Sequence, residues 1–207
     1  MTLYRPVGLE ELRLLYEVEM RAFPPRLPEQ PIFYPVTNEP YARQIAERWN
    51  TKSGTRAGFV TRFEVDSEYA ARFERKVVGG REHEELWVPA EELDEFNQHL
   101  DGPVRVVGAY FGDGYAGYVP RSVGLEGKDV SEQFLTLART PSLCRFGLGT
   151  DGAANHVAVF LNFFWWEQHD FSAEGVSPRD RDRVLGELRQ AWAGGVRGAI
   201  PLGLSER

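Results

Sequence analysis

The sequence predicts an α+β fold: a small domain of short strands and few helices, followed by a mainly helical C-terminal region. Two observations carry this. Strand signals recur through residues 1 to about 108 without the regular crossover helices of a doubly wound sheet. Beyond about residue 120 the pattern changes to helices and loops. A third supports it: 42% apolar, 13% aromatic and 27% charged residues over 207 positions suffice for a real core in one domain or two small ones.

Leu3 to Val7 reads as a short strand, and Leu9 to Met20, with leucines at 9, 12, 14 and 15, as a helix with one buried face. The proline-rich stretch Phe23 to Pro31 is loop. Ile32 to Val36 reads as a strand, after which Asn38 caps a helix with Pro40 in its first turn. Gly58 to Val65, Phe73 to Val78 and Glu84 to Val88 are strands. Pro89 then opens a helix that places Leu93, Phe96 and Leu100 on one face, and Val104 to Tyr110 closes the first half. Residues 109–120, rich in glycine and tyrosine, form the expected linker. Residues 121–207 form a mainly helical region of unknown role, with helices over Val130 to Arg139, Ala153 to Glu167, and from the Ser177 cap and Pro178 to near Trp192. The middle one is apolar nearly all round, so it is buried in a core or in a partner.

Composition excludes several classes. A formal charge of −7 with no basic block disfavours nucleic-acid binding, because neutralising phosphates needs positive density. Arginine outnumbers lysine 21 to 3, a bias that fits a GC-rich bacterial genome and makes the cationic groups fork-shaped and permanently charged. The single cysteine, Cys144, excludes an internal disulfide framework and reads as a small core residue. The N-terminal stretch has no charged start followed by an apolar run, and no segment is long enough to span a bilayer, so a cytoplasmic protein without a membrane partner is expected. There is no glycine-rich phosphate loop, GxSxG elbow, CxxC or HExxH, and the four histidines lack metal-ligand spacing. His169-Asp170 combines a base with an adjacent carboxylate, although a helix-terminal histidine on the dipole is the commoner reading.

Three places in the first half stand out. Arg5 lies in an otherwise apolar strand. Phe33 and Tyr34 are adjacent in an aromatic strand, so they point to opposite faces and one of them can line a pocket. In Arg81-Glu82-His83-Glu84-Glu85-Leu86-Trp87, Glu82 and Glu84 share one face while His83, Glu85 and Trp87 share the other. Carboxylates this closely spaced repel, and a partly buried one is tuned toward acid chemistry.

This order resembles the ADP-ribosyltransferase fold over residues 3 to about 108. The arginine strand is Leu3-Tyr4-Arg5-Pro6-Val7, the aromatic strand Pro31-Ile32-Phe33-Tyr34 with Ala42 beyond it, and the glutamate strand Glu85-Leu86-Trp87-Val88. The resemblance implies a split sheet that binds NAD as substrate between its halves. It also implies a transferase or NAD glycohydrolase that breaks the nicotinamide–ribose bond through an oxocarbenium-like transition state. Glu85, or Glu84 in the Glu82-His83-Glu84 register, would accept the ribose hydroxyl and stabilise the developing charge. Arg5 would clamp a phosphate or ribose, and Phe33 or Tyr34 would stack on the nicotinamide ring. The alternative is a catalytically inactive nucleotide-binding or protein-interaction module on the same fold, with the cluster Phe160 to Trp166 as a possible partner surface.

Overall fold

The computed structural model describes residues 1–121, 124–140, 155–194 and 200–205. Cys144 and the expected helix start at Ala153 lie outside the described residues. The chain forms two compact units: Met1–Asp113 with the tail from Leu204, and Gly114–Gly203.

The first unit is α+β, with β1 (Thr2–Val7), α1 (Leu9–Glu17), β2 (Ile32–Phe33), α2 (Glu39–Arg48), β3 (Ala57–Glu64), α3 (Ser67–Ala70), β4 (Glu74–Val77), β5 (Glu84–Pro89), α4 (Leu93–Gln98) and β6 (Arg105–Phe111). All strand pairs are antiparallel, in two three-stranded sheets of order β1-β3-β6 and β2-β5-β4. The sheets are joined at one residue. Val36 exchanges backbone hydrogen bonds with Tyr4 of β1 (2.9 and 2.7 Å) and bridges Glu85 of β5 on its other side. The expected strand Ile32 to Val36 is thus continuous ladder only at its start, because Pro35 has no N–H to donate to a ladder.

That register fixes which side chains share a face. Tyr4, Val36, Glu85 and Lys76 lie in one row across the joined sheets. Alternation then puts Leu3, Arg5 and Val7 on the other face of β1, and Leu86 and Val88 on the other face of β5. On this second face Phe33, fully buried, packs against Phe23 (ring centroids 4.9 Å) and Phe96 (5.5 Å), with Phe23 also against Phe63. Each such ring contributes about 2 to 3 kcal/mol through the apolar surface it removes from water. On the Tyr4 face, Tyr41, Ala42 and Ala46 of α2 pack with Val36, Val60 and Val107. α2 begins at the expected cap, where Asn38 Oδ1 accepts from the Tyr41 N–H. It lies so close to β3 that a Cβ on Gly58 would stand 2.1 Å from the Ala46 carbonyl oxygen.

The segment expected to be a linker is built into both units. Ala109 to Phe111 complete β6, and Tyr115 is buried. The second unit holds α5 (Val130–Arg139), α6 (His156–Trp166) and α7 (Pro178–Ala193). α5 starts with a capping box between Asp129 and Glu132. The apolar helix α6 is the core of its own unit: Phe160, Phe163, Phe164 and Trp166 are at most 1% exposed, so this cluster is scaffold and not a partner surface. Its buried Asn162 accepts from the Tyr118 N–H and donates to the Tyr118 carbonyl and to Gln133 Oε1, while Gln133 donates to the carbonyls of Tyr118 and Lys128. This network pins the Gly117–Tyr118 turn to the helices. Among the described residues no helix is long and apolar enough to cross a membrane.

Candidate functional site

The residues singled out in the sequence divide between two faces of the first unit. Arg5 is 7% exposed and points to the α1 side. Its Nε and Nη2 donate to the two carboxylate oxygens of Glu11 at 2.6 and 3.2 Å, and its Nη1 donates to the Tyr34 carbonyl at 3.2 Å. The guanidinium carbon lies 4.6 Å from the centre of the Phe33 ring. Arg26 approaches the same Glu11 at 3.8 Å, and burial, together with the charge of Arg5, lowers its pKa. The guanidinium of Arg5 is therefore bonded on three nitrogens within the protein, and Phe33 has no free ring face. The expectation that Arg5 and Phe33 line one cleft with Glu85 does not hold, because the sheet stands between them.

Glu85 faces the other way. It is partly exposed and held from two sides: the Tyr41 hydroxyl donates to Oε1 at 3.2 Å, and the Trp87 indole N–H donates to Oε2 at 3.1 Å. Tyr41 is anchored on α2. Burial, then the charge of Glu85, push its phenol up to about 12. His83 stacks flat on the Tyr41 ring (4.2 Å, 15°) and accepts a hydrogen bond from the Gly80 N–H through Nδ1. Tyr34 meets Trp87 edge to face at 5.2 Å, so of the two adjacent aromatics it is Tyr34, not Phe33, that joins the glutamate strand's open face. Lys76, directly across from Glu85 on β4, places its Nζ 3.7 Å from the centre of the Trp87 ring and 3.1 Å from Glu74. Glu84 points to the opposite side of β5 from Glu85, 4.0 Å from Arg75 Nη1.

The result is an oriented carboxylate between the buried Tyr41 and the partly exposed Tyr34 and Trp87. Each oxygen of Glu85 has one intramolecular donor, and a carboxylate has acceptor capacity beyond that. Two participants carried no functional signal in the sequence. Tyr41 reads as an ordinary apolar position of α2, and Lys76 as a solvated strand charge. In the second unit, His169 pairs through Nε2 with Glu174 at 3.1 Å and stacks on Trp165, whereas Asp170 accepts from the N–H and hydroxyl of Ser172. Asp170 thus caps a turn and does not orient the neighbouring imidazole, against the less common of the two readings of His169-Asp170.

Comparison with known proteins finds no matching family model, no similar curated protein and no similar solved structure.

Proposed function

We propose that the first unit is a protein-interaction module without catalytic chemistry, acting through the partly exposed patch of Glu85, Trp87 and Tyr34 beside the edge of α2. The observation that supports this most is the division of the three expected site groups between two faces. Chemistry at a nicotinamide–ribose bond calls for a cation, a ring and an acid preorganised around one substrate. Here the cation is paired with Glu11 and one aromatic is core, while the acid stands on the other side with the buried Tyr41 and the partly buried Tyr34 and Trp87.

A second reading is an ADP-ribosyltransferase or NAD glycohydrolase that uses Glu85 and takes NAD as substrate. One observation favours it: Glu85 is fixed by two donors at the head of an apolar strand, as a ribose-binding glutamate would be. In this reading Tyr34 or Trp87 holds the nicotinamide ring.

Incubation of the purified protein with NAD separates the two. Nicotinamide release is measured for the wild type, Glu85→Gln and Glu84→Gln. The interaction reading expects release no faster than in buffer for all three. Release that is lost in Glu85→Gln alone overturns it in favour of the enzyme; loss in Glu84→Gln moves the acid to the neighbouring register.

A further inference from the structure

The Trp87 ring is not empty. Lys76 sits over it at 3.7 Å, while Glu74, its partner at 3.1 Å, is largely exposed. Lys76 keeps 35% of its side-chain exposure, so it is a flexible, solvated point charge held weakly in place. The position it takes is informative. A cation is attracted to an aromatic face by the ring quadrupole, and the attraction strengthens where a carboxylate stands beside the ring. Glu85 is that carboxylate, hydrogen-bonded to the edge of the same indole.

Building on the interaction reading above, we infer that the Glu85–Trp87 face receives an arginine side chain of a protein partner, and that Lys76 is the chain's own stand-in for it. The choice of guanidinium over ammonium follows from geometry. Tyr41 occupies one acceptor site on Oε1 and Trp87 one on Oε2, which leaves each oxygen capacity for one arm of a planar fork. A flat guanidinium also stacks on the indole or on Tyr34, where a tetrahedral ammonium makes only a point contact. When the arginine arrives, Lys76 swings to solvent and stays near Glu74, so its charge is not left without a partner. The formal charge of −7 over the chain adds a long-range attraction for a cationic partner segment.

The test uses the full-length protein labelled with nitrogen-15 and follows the five tryptophan indole N–H resonances, that of Trp87 being assigned by its disappearance in Trp87→Phe. N-acetyl-arginine amide is titrated beside N-acetyl-citrulline amide, which has the same shape without the charge, and N-acetyl-lysine amide. The expected result is a saturable shift at Trp87 with arginine, a weaker one with lysine and none with citrulline. Glu85→Gln lowers the arginine affinity about tenfold or more, as loss of a charge-assisted pair requires. Lys76→Ala raises it about threefold by removing the internal competitor. Equal shifts from citrulline and arginine, an arginine shift indifferent to Glu85→Gln, or an affinity not raised by Lys76→Ala each overturns the inference. Nicotinamide release plays no part in this measurement, so failure here leaves the interaction reading intact, and failure of that reading is read from NAD turnover.

Discussion

Removing Glu11 tests whether Arg5 is structural. The bidentate pair sits against Phe33, with the Arg5 side chain 8% and that of Glu11 21% exposed. Glu11→Ala leaves the guanidinium buried with the Tyr34 carbonyl as its remaining acceptor, and leaves Arg26 close by without the shared anion. Breaking a buried pair costs about 3 to 5 kcal/mol; the partial exposure of Glu11 lowers this to about 2 to 4. For a cooperative unit of this size, 1 kcal/mol corresponds to about 4 °C, so the midpoint falls by roughly 8 to 16 °C. Replacing both partners removes the uncompensated charge, and Arg5→Met/Glu11→Leu recovers to within about 1.5 kcal/mol of the wild type. Urea denaturation followed by circular dichroism of the single and double variants measures each step. A Glu11→Ala protein less than about 1 kcal/mol below wild type would refute the reasoning, because a buried guanidinium cannot lose its anion without a larger cost.

Three further outcomes follow from other parts of the molecule. The Tyr41 phenol lies above its ordinary value, so it stabilises the fold fully below about pH 10, and that contribution is lost as pH rises toward about 12; the stability of Tyr41→Phe therefore falls less steeply than that of wild type over this window in denaturant titrations. Gly58→Ala drives a Cβ into the Ala46 carbonyl, a backbone atom that cannot rotate away, and costs about 3 kcal/mol in urea unfolding. Asn162→Ala strands the Tyr118 N–H and Gln133 Oε1 inside the second unit, costs about 2 to 4 kcal/mol, and speeds hydrogen exchange of the Tyr118 amide by tenfold or more.

Much of the fold is legible in the sequence because its signals are local. The strands, the Asn38 and Ser177 caps and the all-apolar character of α6 depend on residues within one or two turns of each other. The candidate site is less so. Adjacency correctly implies that Phe33 and Tyr34 part company and that His83, Glu85 and Trp87 share a side of their strand. It carries no information on which side Arg5 takes, since that is set by the pairing of Tyr4 with Val36, about thirty residues away. The partner of Arg5 is invisible for the same reason: Glu11 reads as one more charge on the exposed face of α1. Lys76 was within reach. A hairpin folded symmetrically about Gly80-Arg81 places Lys76 opposite Glu85 and Glu74 opposite Trp87, as observed.

The chain leaves the first unit after Asp113 and re-enters it at Leu204, where the Ser205 N–H donates to the Val106 carbonyl on β6. The helical unit is therefore an insertion, fastened at both ends to its host. The two junctions lie at opposite ends of β6, Val106 near its start and Asp113 just past its end, so a glycine-serine bridge that replaces residues 114–203 has to run the length of that strand, about 20 Å, to keep the tail docked in a chain reduced to the host alone.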